Sequence, residues 1–304
     1  MKLEQLIGNE EKKIYINECI KDRNILHSYL FNGPDGVGKK LFAQNFAKRI
    51  LCLESGDEEC TCKSCTCFEG NNHPDYFILN SDETTIKIDD VRQMTKKIYE
   101  KPIVSNHKVY IINAFDKMTI EAQNALLKTL EEPPSFVTII LVTSYDNNIL
   151  NTIKSRCMSV RFNRISEQEI LNYIKDNLNI ESITPNMLKY IDGSISRAID
   201  LNENKDLYIQ IEEFAKSLTL KNKVDVMQVG KVLYDKENIY EILDYLIVCL
   251  YSQREENIKY LDCIKIVSDC ISRLKSNSNF DMCIDMSIIK MWEELNEVSN
   301  RSKI

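Results

Sequence analysis

The sequence predicts an α/β domain built on a parallel sheet, followed by a region made only of α-helices. Short β-rich runs recur in the first half of the chain, with helical patterns between most of them. The runs are nearly continuous in apolar residues, which is typical of strands that are buried on both faces. Beyond Arg164 the β-rich runs stop and helical periodicity replaces them.

Five runs are predicted to be strands, and the last of them ends the α/β domain at about residue 164. They are residues 29–31, 76–79, 109–112, 137–142 and 158–162. Directly after this domain, Ser166 and Glu169 have the spacing of a capping box, which predicts the start of a helix.

The last third of the chain is predicted to be a helical bundle. The apolar residues Ile239, Ile242, Leu243 and Leu246 follow the spacing of an amphipathic helix. Packing of this stripe inside its own domain is favoured over an exposed face for a partner.

Composition narrows the class of protein. Hydrophobic residues make up 43% of 304 residues, enough for two or three domains with cores. The net charge of −7 excludes an autonomous nucleic-acid binder that depends on overall positive charge. The first five residues do not suggest a signal peptide, and the apolar run 139–142 is far shorter than a membrane span. We therefore expect a cytoplasmic protein with no membrane association and reduced cysteines.

A phosphate-binding loop is predicted at residues 33–40, Gly-Pro-Asp-Gly-Val-Gly-Lys-Lys, between a strand and a helical pattern. Gly33, Gly36 and Gly38 would let backbone N–H groups turn inward around phosphates. Lys39 would reach the outer phosphates. These four residues are the predicted cofactor-binding residues for ATP or ADP.

Two changes in the expected catalytic residues argue against ATP hydrolysis. Lys40 stands where Ser or Thr normally binds Mg²⁺, and a cation cannot ligate a cation. Asn113 and Ala114 follow the strand 109–112 where an ATPase has two acidic residues. We expect no Mg²⁺ site and no turnover, while nucleotide binding without turnover remains open.

A cysteine cluster at residues 52–67 predicts a metal site. Clustered thiols in a reducing compartment favour Zn²⁺, which takes four thiolates in a tetrahedron. Cys62 and Cys65 have the usual spacing of a ligand pair, and the other candidates are Cys52, Cys60 and Cys67. The remaining cysteines considered are isolated and predicted to be ordinary buried residues: Cys19, Cys249, Cys263, Cys270 and Cys283.

Several separated segments resemble the bacterial DNA polymerase III clamp-loader family of AAA+ proteins, in its delta-prime rather than its tau or gamma form. The segments are residues 27–31, the cysteine cluster, 73–75, 116–134, 155–157 and 193–198. The resemblance implies an AAA+ domain at 1–164 with an inserted zinc module at about 52–67. It further implies a helical lid domain at 165–203 and a helical collar domain at 204–304.

The resemblance also implies roles for single residues. Arg156, after Ser155, matches an arginine finger that acts in trans on a neighbouring subunit. Arg197 matches a lid arginine that senses nucleotide, with a structural salt bridge as the alternative. Thr143 or Ser144 matches a polar sensor.

The same resemblance implies structural zinc held by Cys52, Cys60, Cys62 and Cys65. Only Thr61 separates Cys60 from Cys62, whereas the family has two residues there, so Cys67 stays an alternative ligand.

The resemblance implies a subunit that helps load a sliding clamp on primer-template DNA and hydrolyses no ATP itself. Its partners would be delta and tau or gamma subunits in a hetero-pentamer. One alternative is an active tau- or gamma-type ATPase, against which Lys40, Asn113 and Ala114 argue. Another is a zinc-dependent nucleic-acid-binding module, against which the acidic balance argues.

Overall fold

The computed structural model describes residues 6–57, 59–79, 86–178, 183–220 and 222–296. The N-terminal residues 1–5 and the last part of the predicted helical region, 297–304, lie outside the described residues. The chain divides into two compact units. One contains the residues through Tyr173 together with Gly193–Ser196, and the other contains Ile174–Asp192 and the residues from Arg197 onward.

The described residues of the first unit form a five-stranded parallel sheet in the order β2-β3-β4-β1-β5. All five predicted strands are confirmed, and each boundary agrees to within one residue. The strands are β1 (Ser28–Asn32), β2 (Tyr76–Leu79), β3 (Lys108–Ile112), β4 (Val137–Thr143) and β5 (Met158–Arg161).

Fourteen α-helices lie within the described residues. Those that begin in the first half are α1 (Glu10–Lys21), α2 (Lys39–Leu51), α3 (Lys63–Glu69), α4 (Ile88–Ile98), α5 (Ile120–Glu131) and α6 (Asn151–Lys154). The rest are α7 (Glu167–Asn177), α8 (Pro185–Ile191), α9 (Ile195–Glu203), α10 (Lys205–Leu220), α11 (Lys223–Val229), α12 (Ile239–Ser252), α13 (Tyr260–Lys275) and α14 (Phe280–Asn296).

The sheet has an apolar core on each face, because successive side chains of a strand point to opposite sides. Tyr29 and Phe31 of β1 join a cluster that includes α2, whereas Leu30 joins a cluster that includes α4 and α5. The strands β1, β3 and β4 are buried along their whole length, which explains their nearly continuous apolar runs, whereas β2 is half-buried and the edge strand β5 buries only Val160. The predicted parallel-sheet class is therefore confirmed.

The described residues of the second unit form helices joined by turns and contain no strand, as predicted. Its interior contains three tyrosine rings, Tyr190, Tyr208 and Tyr245, whose centroids lie 4.9–5.4 Å apart. The Tyr245 hydroxyl donates to Glu212 Oε1 at 2.6 Å, which gives the buried hydroxyl a hydrogen-bond partner. The apolar stripe of α12 is buried within this unit, which confirms the predicted packing.

Several smaller predictions are also confirmed. The Ser166 N–H donates to Glu169 Oε2 at 3.1 Å and the Glu169 N–H donates to Ser166 Oγ at 3.4 Å, so the capping box forms. The five isolated cysteines are buried. No described helix is long and apolar enough to cross a membrane. The division into three domains at 164 and 203 stays a prediction.

A buried carboxylate organises the start of β2. Asp75 is fully buried and accepts hydrogen bonds from the N–H groups of Ile103, Val104 and Ser105 at 2.7–2.8 Å. Its own N–H donates to His73 Nδ1 at 3.1 Å. Asp75 thereby fixes the loop before β3, and a buried charge needs this number of donors to offset the loss of water.

We predict that Asp75→Ala lowers the free energy of unfolding by about 3 kcal/mol, because three N–H groups, of which that of Ser105 is buried, would lose their shared acceptor. Urea denaturation of the full chain measures this. The exposed Asp89, paired with Arg92 at 3.4 Å, supplies the control, since Asp89→Ala should change stability by no more than about 0.5 kcal/mol. Equal losses for the two variants would contradict the assignment.

Candidate functional site

The predicted phosphate loop connects β1 to α2. Gly33 and Gly36 are required by close contacts, since a Cβ on Gly33 would lie 2.5 Å from the carbonyl oxygen of Phe162. A Cβ on Gly36, whose φ is +74°, would collide with the Ser194 hydroxyl. Gly38 has φ +88° and immediately precedes α2. The loop therefore has the backbone that its glycines predict, at the N-terminus of a helix.

Lys39 is buried at the base of this loop. Its Nζ donates to the carbonyl oxygens of Gly33 at 2.8 Å and Pro34 at 2.5 Å, and to Ser144 Oγ at 3.1 Å. Burial lowers the pKa of Lys39, while the carboxylates of Asp35 and Asp116 oppose this. The lysine therefore joins the phosphate loop to the carboxyl end of β4.

A cavity of about 450 Å³ is lined both by residues of the predicted phosphate loop and by the residues at the changed catalytic positions. Lys40, Asn113 and Ala114 all line it, together with Lys39 and the loop glycines Gly36 and Gly38. The two positions where an ATPase carries its metal-binding and water-polarising groups thus face the same space. None of these three side chains supplies an anionic oxygen to a metal.

Sequence reasoning missed the role of Asp116, which lines the same cavity. Its Oδ1 accepts from Thr143 Oγ1 at 2.8 Å and from the Ser144 N–H at 3.2 Å. The carboxylate therefore holds the predicted polar-sensor residues in place. Its position, three residues after Asn113, is the signal that could have suggested it.

Arg156 lies between α6 and β5 with a fixed backbone. The Ser28 hydroxyl donates to the Arg156 carbonyl oxygen at 2.6 Å. The guanidinium pairs with Glu131 Oε1 at 2.7 Å, and Nη1 donates to the Thr152 carbonyl at 2.8 Å and to Ser155 Oγ at 3.3 Å. Glu131 was not singled out from the sequence, because its separation from Arg156 hides the contact.

Arg156 and this chain's phosphate loop lie at opposite ends of the sheet. The loop follows the carboxyl end of β1, while Arg156 precedes the amino end of β5, which pairs with β1 in parallel. The four residues of β5 alone span roughly 13 Å. Arg156 therefore does not belong to the cavity of its own chain, whose lining residues do not include it.

Arg197 has partners within the second unit. Its Nη1 donates to the Tyr190 carbonyl oxygen at 2.9 Å, and its guanidinium carbon lies 4.8 Å from the centre of the Tyr190 ring. These contacts are with a carbonyl oxygen and an aromatic ring, and the alternative of a structural salt bridge stays a prediction. The predicted lid-sensor role stays a prediction.

The four preferred cysteines form one cluster in the described residues. The sulfur atoms of Cys52, Cys60, Cys62 and Cys65 all lie within 4.8 Å of one another, and the Cys52 and Cys62 sulfurs are 3.9 Å apart. A tetrahedral zinc site with ~2.3 Å bonds has ~3.8 Å between its sulfurs. The donor set could therefore hold a zinc ion. Cys67 is not part of this cluster of four sulfur atoms.

Backbone N–H groups point at these sulfurs, as expected for thiolates. The Glu54 N–H donates to Cys52 Sγ at 3.5 Å and the Cys62 N–H donates to Cys60 Sγ at 3.4 Å. Burial raises the pKa of the Cys62 thiol, but hydrogen bonds from the N–H groups of Cys65 and Leu53 and from the thiols of Cys65 and Cys60 together lower the pKa to about 7, while burial raises the pKa of the Cys65 thiol. Thiolate is the form that a metal binds.

A parallel sheet with a phosphate loop after β1 and a following helical unit defines a P-loop protein of the AAA+ class. A solved structure shares this fold, a DNA polymerase III gamma subunit-related protein from Thermotoga maritima. It aligns with a TM-score of 0.54 and 16% identity over 92% of this chain and 99% of that one.

The chain belongs to the family described as DNA polymerase III, delta subunit, whose model matches residues 8–166. It is 32% identical to DNA polymerase III subunit delta' of Bacillus subtilis over 74% of this chain and 64% of the relative. It is 30% identical to subunit tau of the same organism over 81% of this chain and 45% of the relative. The matches thus span less than two thirds of these relatives.

We predict one Zn²⁺ per chain. Replacing Cys62 and Cys65 together with Ser should remove the metal, because the remaining two thiolates cannot complete a tetrahedron. Cys67→Ser is the matched control from the same helix and should retain it. Metal analysis of the purified proteins measures the zinc content. Loss of zinc in Cys67→Ser, with retention in Cys60→Ser, would show that the ligand set is wrong.

We further predict no magnesium-dependent ATP hydrolysis above background by the isolated chain, because Lys40 replaces the hydroxyl that binds Mg²⁺, and Asn113 and Ala114 replace the two acidic residues. A steady-state phosphate-release assay is the measurement. Turnover that disappears in Lys39→Ala would contradict this expectation, since it would originate in this cavity.

Proposed function

We propose that this chain is the delta-prime subunit of a bacterial DNA polymerase III clamp loader. In this role it works in the cytoplasm beside delta and tau or gamma subunits in a hetero-pentamer. It helps to place a sliding clamp on primer-template DNA through the complex. It hydrolyses no ATP and contributes Arg156 to the ATP site of a neighbouring subunit. Membership of the family and the similarity to delta' support this proposal.

The observation that carries the proposal is the division of catalytic parts between the two ends of the sheet. The cavity of this chain contains Lys40, Asn113 and Ala114 in place of metal-binding and acidic groups. Arg156 stands at the far end on a backbone fixed by Ser28. A chain that retains a finger but lacks its own metal ligands is suited to act on a partner's nucleotide.

Arg156 would act through electrostatics. A planar guanidinium can donate two hydrogen bonds to the oxygens of a transferring γ-phosphoryl group, and its charge becomes more valuable as that group departs. The pair with Glu131 is partly exposed, with side-chain exposures of 34% and 48%. Exposed pairs contribute only about 0–1 kcal/mol, so a phosphate of a neighbour can replace Glu131.

Zinc would have a structural role in this function. Four thiolates close the coordination sphere, so the metal would stabilise the module rather than bind a substrate. Cys62 is the N-cap of α3 and Cys65 lies in its first turn, and the Ser64 hydroxyl between them donates to the Leu51 carbonyl oxygen at 2.6 Å, which holds this short helix against the end of α2.

A tau- or gamma-type ATPase is the second candidate. Similarity to tau at 30% identity and the presence of the carboxylate of Asp116 in the cavity favour it. However, Asp116 already accepts hydrogen bonds from Thr143 and Ser144. Lys40 also replaces the Ser or Thr that would bind Mg²⁺. The phosphate-release assay described above separates the two candidates.

We predict that Arg156→Ala leaves assembly of the loader intact but lowers DNA-stimulated hydrolysis at the neighbouring site by about 10-fold or more. Arg156→Lys should restore little of the hydrolysis, because lysine lacks the planar arrangement of donors. The loader is reconstituted with each variant, and ATP hydrolysis and clamp loading are measured at equal complex concentration.

Arg161→Ala is the matched control, because Arg161 is an exposed arginine at the other end of β5. It should leave hydrolysis unchanged. Full activity of the Arg156→Ala complex would rule out the proposed finger. Failure of that complex to assemble would instead assign Arg156 to the interface.

A further inference from the structure

The cavity beside the phosphate loop contains more positive charge than its own chain neutralises. Three lysines and two aspartates line it: Lys39, Lys40, Lys117, Asp35 and Asp116. Lys39 is engaged by oxygens of the chain, and each aspartate accepts hydrogen bonds. The ammonium groups of Lys40 and Lys117, in contrast, make no hydrogen bond or ion pair with any residue that the structure describes. Two unpaired cations at a cavity indicate an anionic ligand.

Lys40 occupies the sequence position of the residue that binds the metal ion in a phosphate-loop protein. It is the second residue of α2, directly after Lys39, where a hydroxyl would ordinarily bind Mg²⁺ beside the phosphates. An ammonium at this position carries positive charge and three donors. It repels a divalent cation but can bind the same phosphate oxygens that the cation would bridge.

The backbone of the loop adds donors for the same ligand. The N-terminal N–H groups of a helix that begins at Lys39 lack partners within the helix, and they favour an anion. The cavity, at about 450 Å³, has room for a chain of two or three phosphates. The hydroxyl-bearing residues Thr143 and Ser144 line it as well.

We infer that this cavity binds a di- or triphosphate group without a metal ion, and that the ammonium of Lys40 takes the place of Mg²⁺. The ligand would be a nucleoside di- or triphosphate, or an inorganic polyphosphate, in its metal-free form. Binding would not lead to hydrolysis, because Ala114 cannot orient a water molecule. This inference concerns the isolated chain and holds whether or not Arg156 acts in trans.

The test measures the affinity of the isolated full chain for ATP, ADP and inorganic triphosphate by calorimetry, in EDTA and in excess Mg²⁺. We expect binding in EDTA and weaker binding in Mg²⁺, since the metal neutralises the phosphates that Lys40 contacts. If ATP and ADP bind more tightly than inorganic triphosphate, the ligand is a nucleotide whose nucleoside also contacts the protein. If all three bind equally, the protein recognises the phosphate chain alone. The absence of binding, or binding that requires Mg²⁺, would overturn it.

Two variants locate the effect at Lys40. Lys40→Met keeps most of the side-chain length without the charge and should lower the affinity in EDTA about 10-fold or more, the scale of one charge-assisted hydrogen bond. Lys40→Ser should reverse the response to Mg²⁺, because a hydroxyl can bind the metal. Lys265→Met removes an exposed lysine from α13 and should change nothing. Unchanged affinity of Lys40→Met in EDTA would overturn the inference.

Discussion

The arrangement of this molecule depends on the common direction of its five strands. In a parallel sheet, every segment that follows a strand lies at one end and every segment that precedes a strand lies at the other. The phosphate loop, Asn113 and Ser144 all follow strands, and they meet at one cavity. Asp75 and Arg156 precede strands, so they lie at the opposite end. One chain can therefore present two chemically different surfaces without any contact between them.

The cysteine module is attached to the sheet by the last turn of α2. The carbonyl oxygen of Leu51 accepts from Ser64 Oγ at 2.6 Å and from Ser105 Oγ at 2.8 Å. Ser64 also pairs with His73 Nε2 at 2.8 Å. Burial lowers the pKa of His73, so the ring is neutral near pH 7, with Nδ1 accepting from the Asp75 N–H. This network connects α2, α3 and the start of β2 by hydrogen bonds that are hidden from water.

The sequence was most informative where a local pattern determines the structure. Buried strands and the phosphate loop were predictable, because apolar runs and glycines express a physical requirement within a few residues. Thiol spacing predicted Cys62 and Cys65 as a ligand pair, whereas Cys52 and Cys60 were chosen from the other candidates through the family resemblance. Side-chain partners that are distant in sequence were not predictable. The contacts of Arg156 with Glu131 and of Asp116 with Thr143 depend on which chain segments the sheet brings together. No spacing rule covers sequence separations of 25 and 27 residues, which are those of these two pairs.

The partly exposed pair of Arg156 and Glu131 has a consequence for timing. Exposed side chains change rotamer within picoseconds to nanoseconds, whereas domain and subunit motions need microseconds to milliseconds. If Arg156 acts on a neighbouring subunit as proposed, exchange of the Glu131 carboxylate for a phosphate would therefore be complete long before that subunit finished moving. The guanidinium would follow each movement of its partner without delay, so the pace of a cycle would be set by the approach of whole subunits.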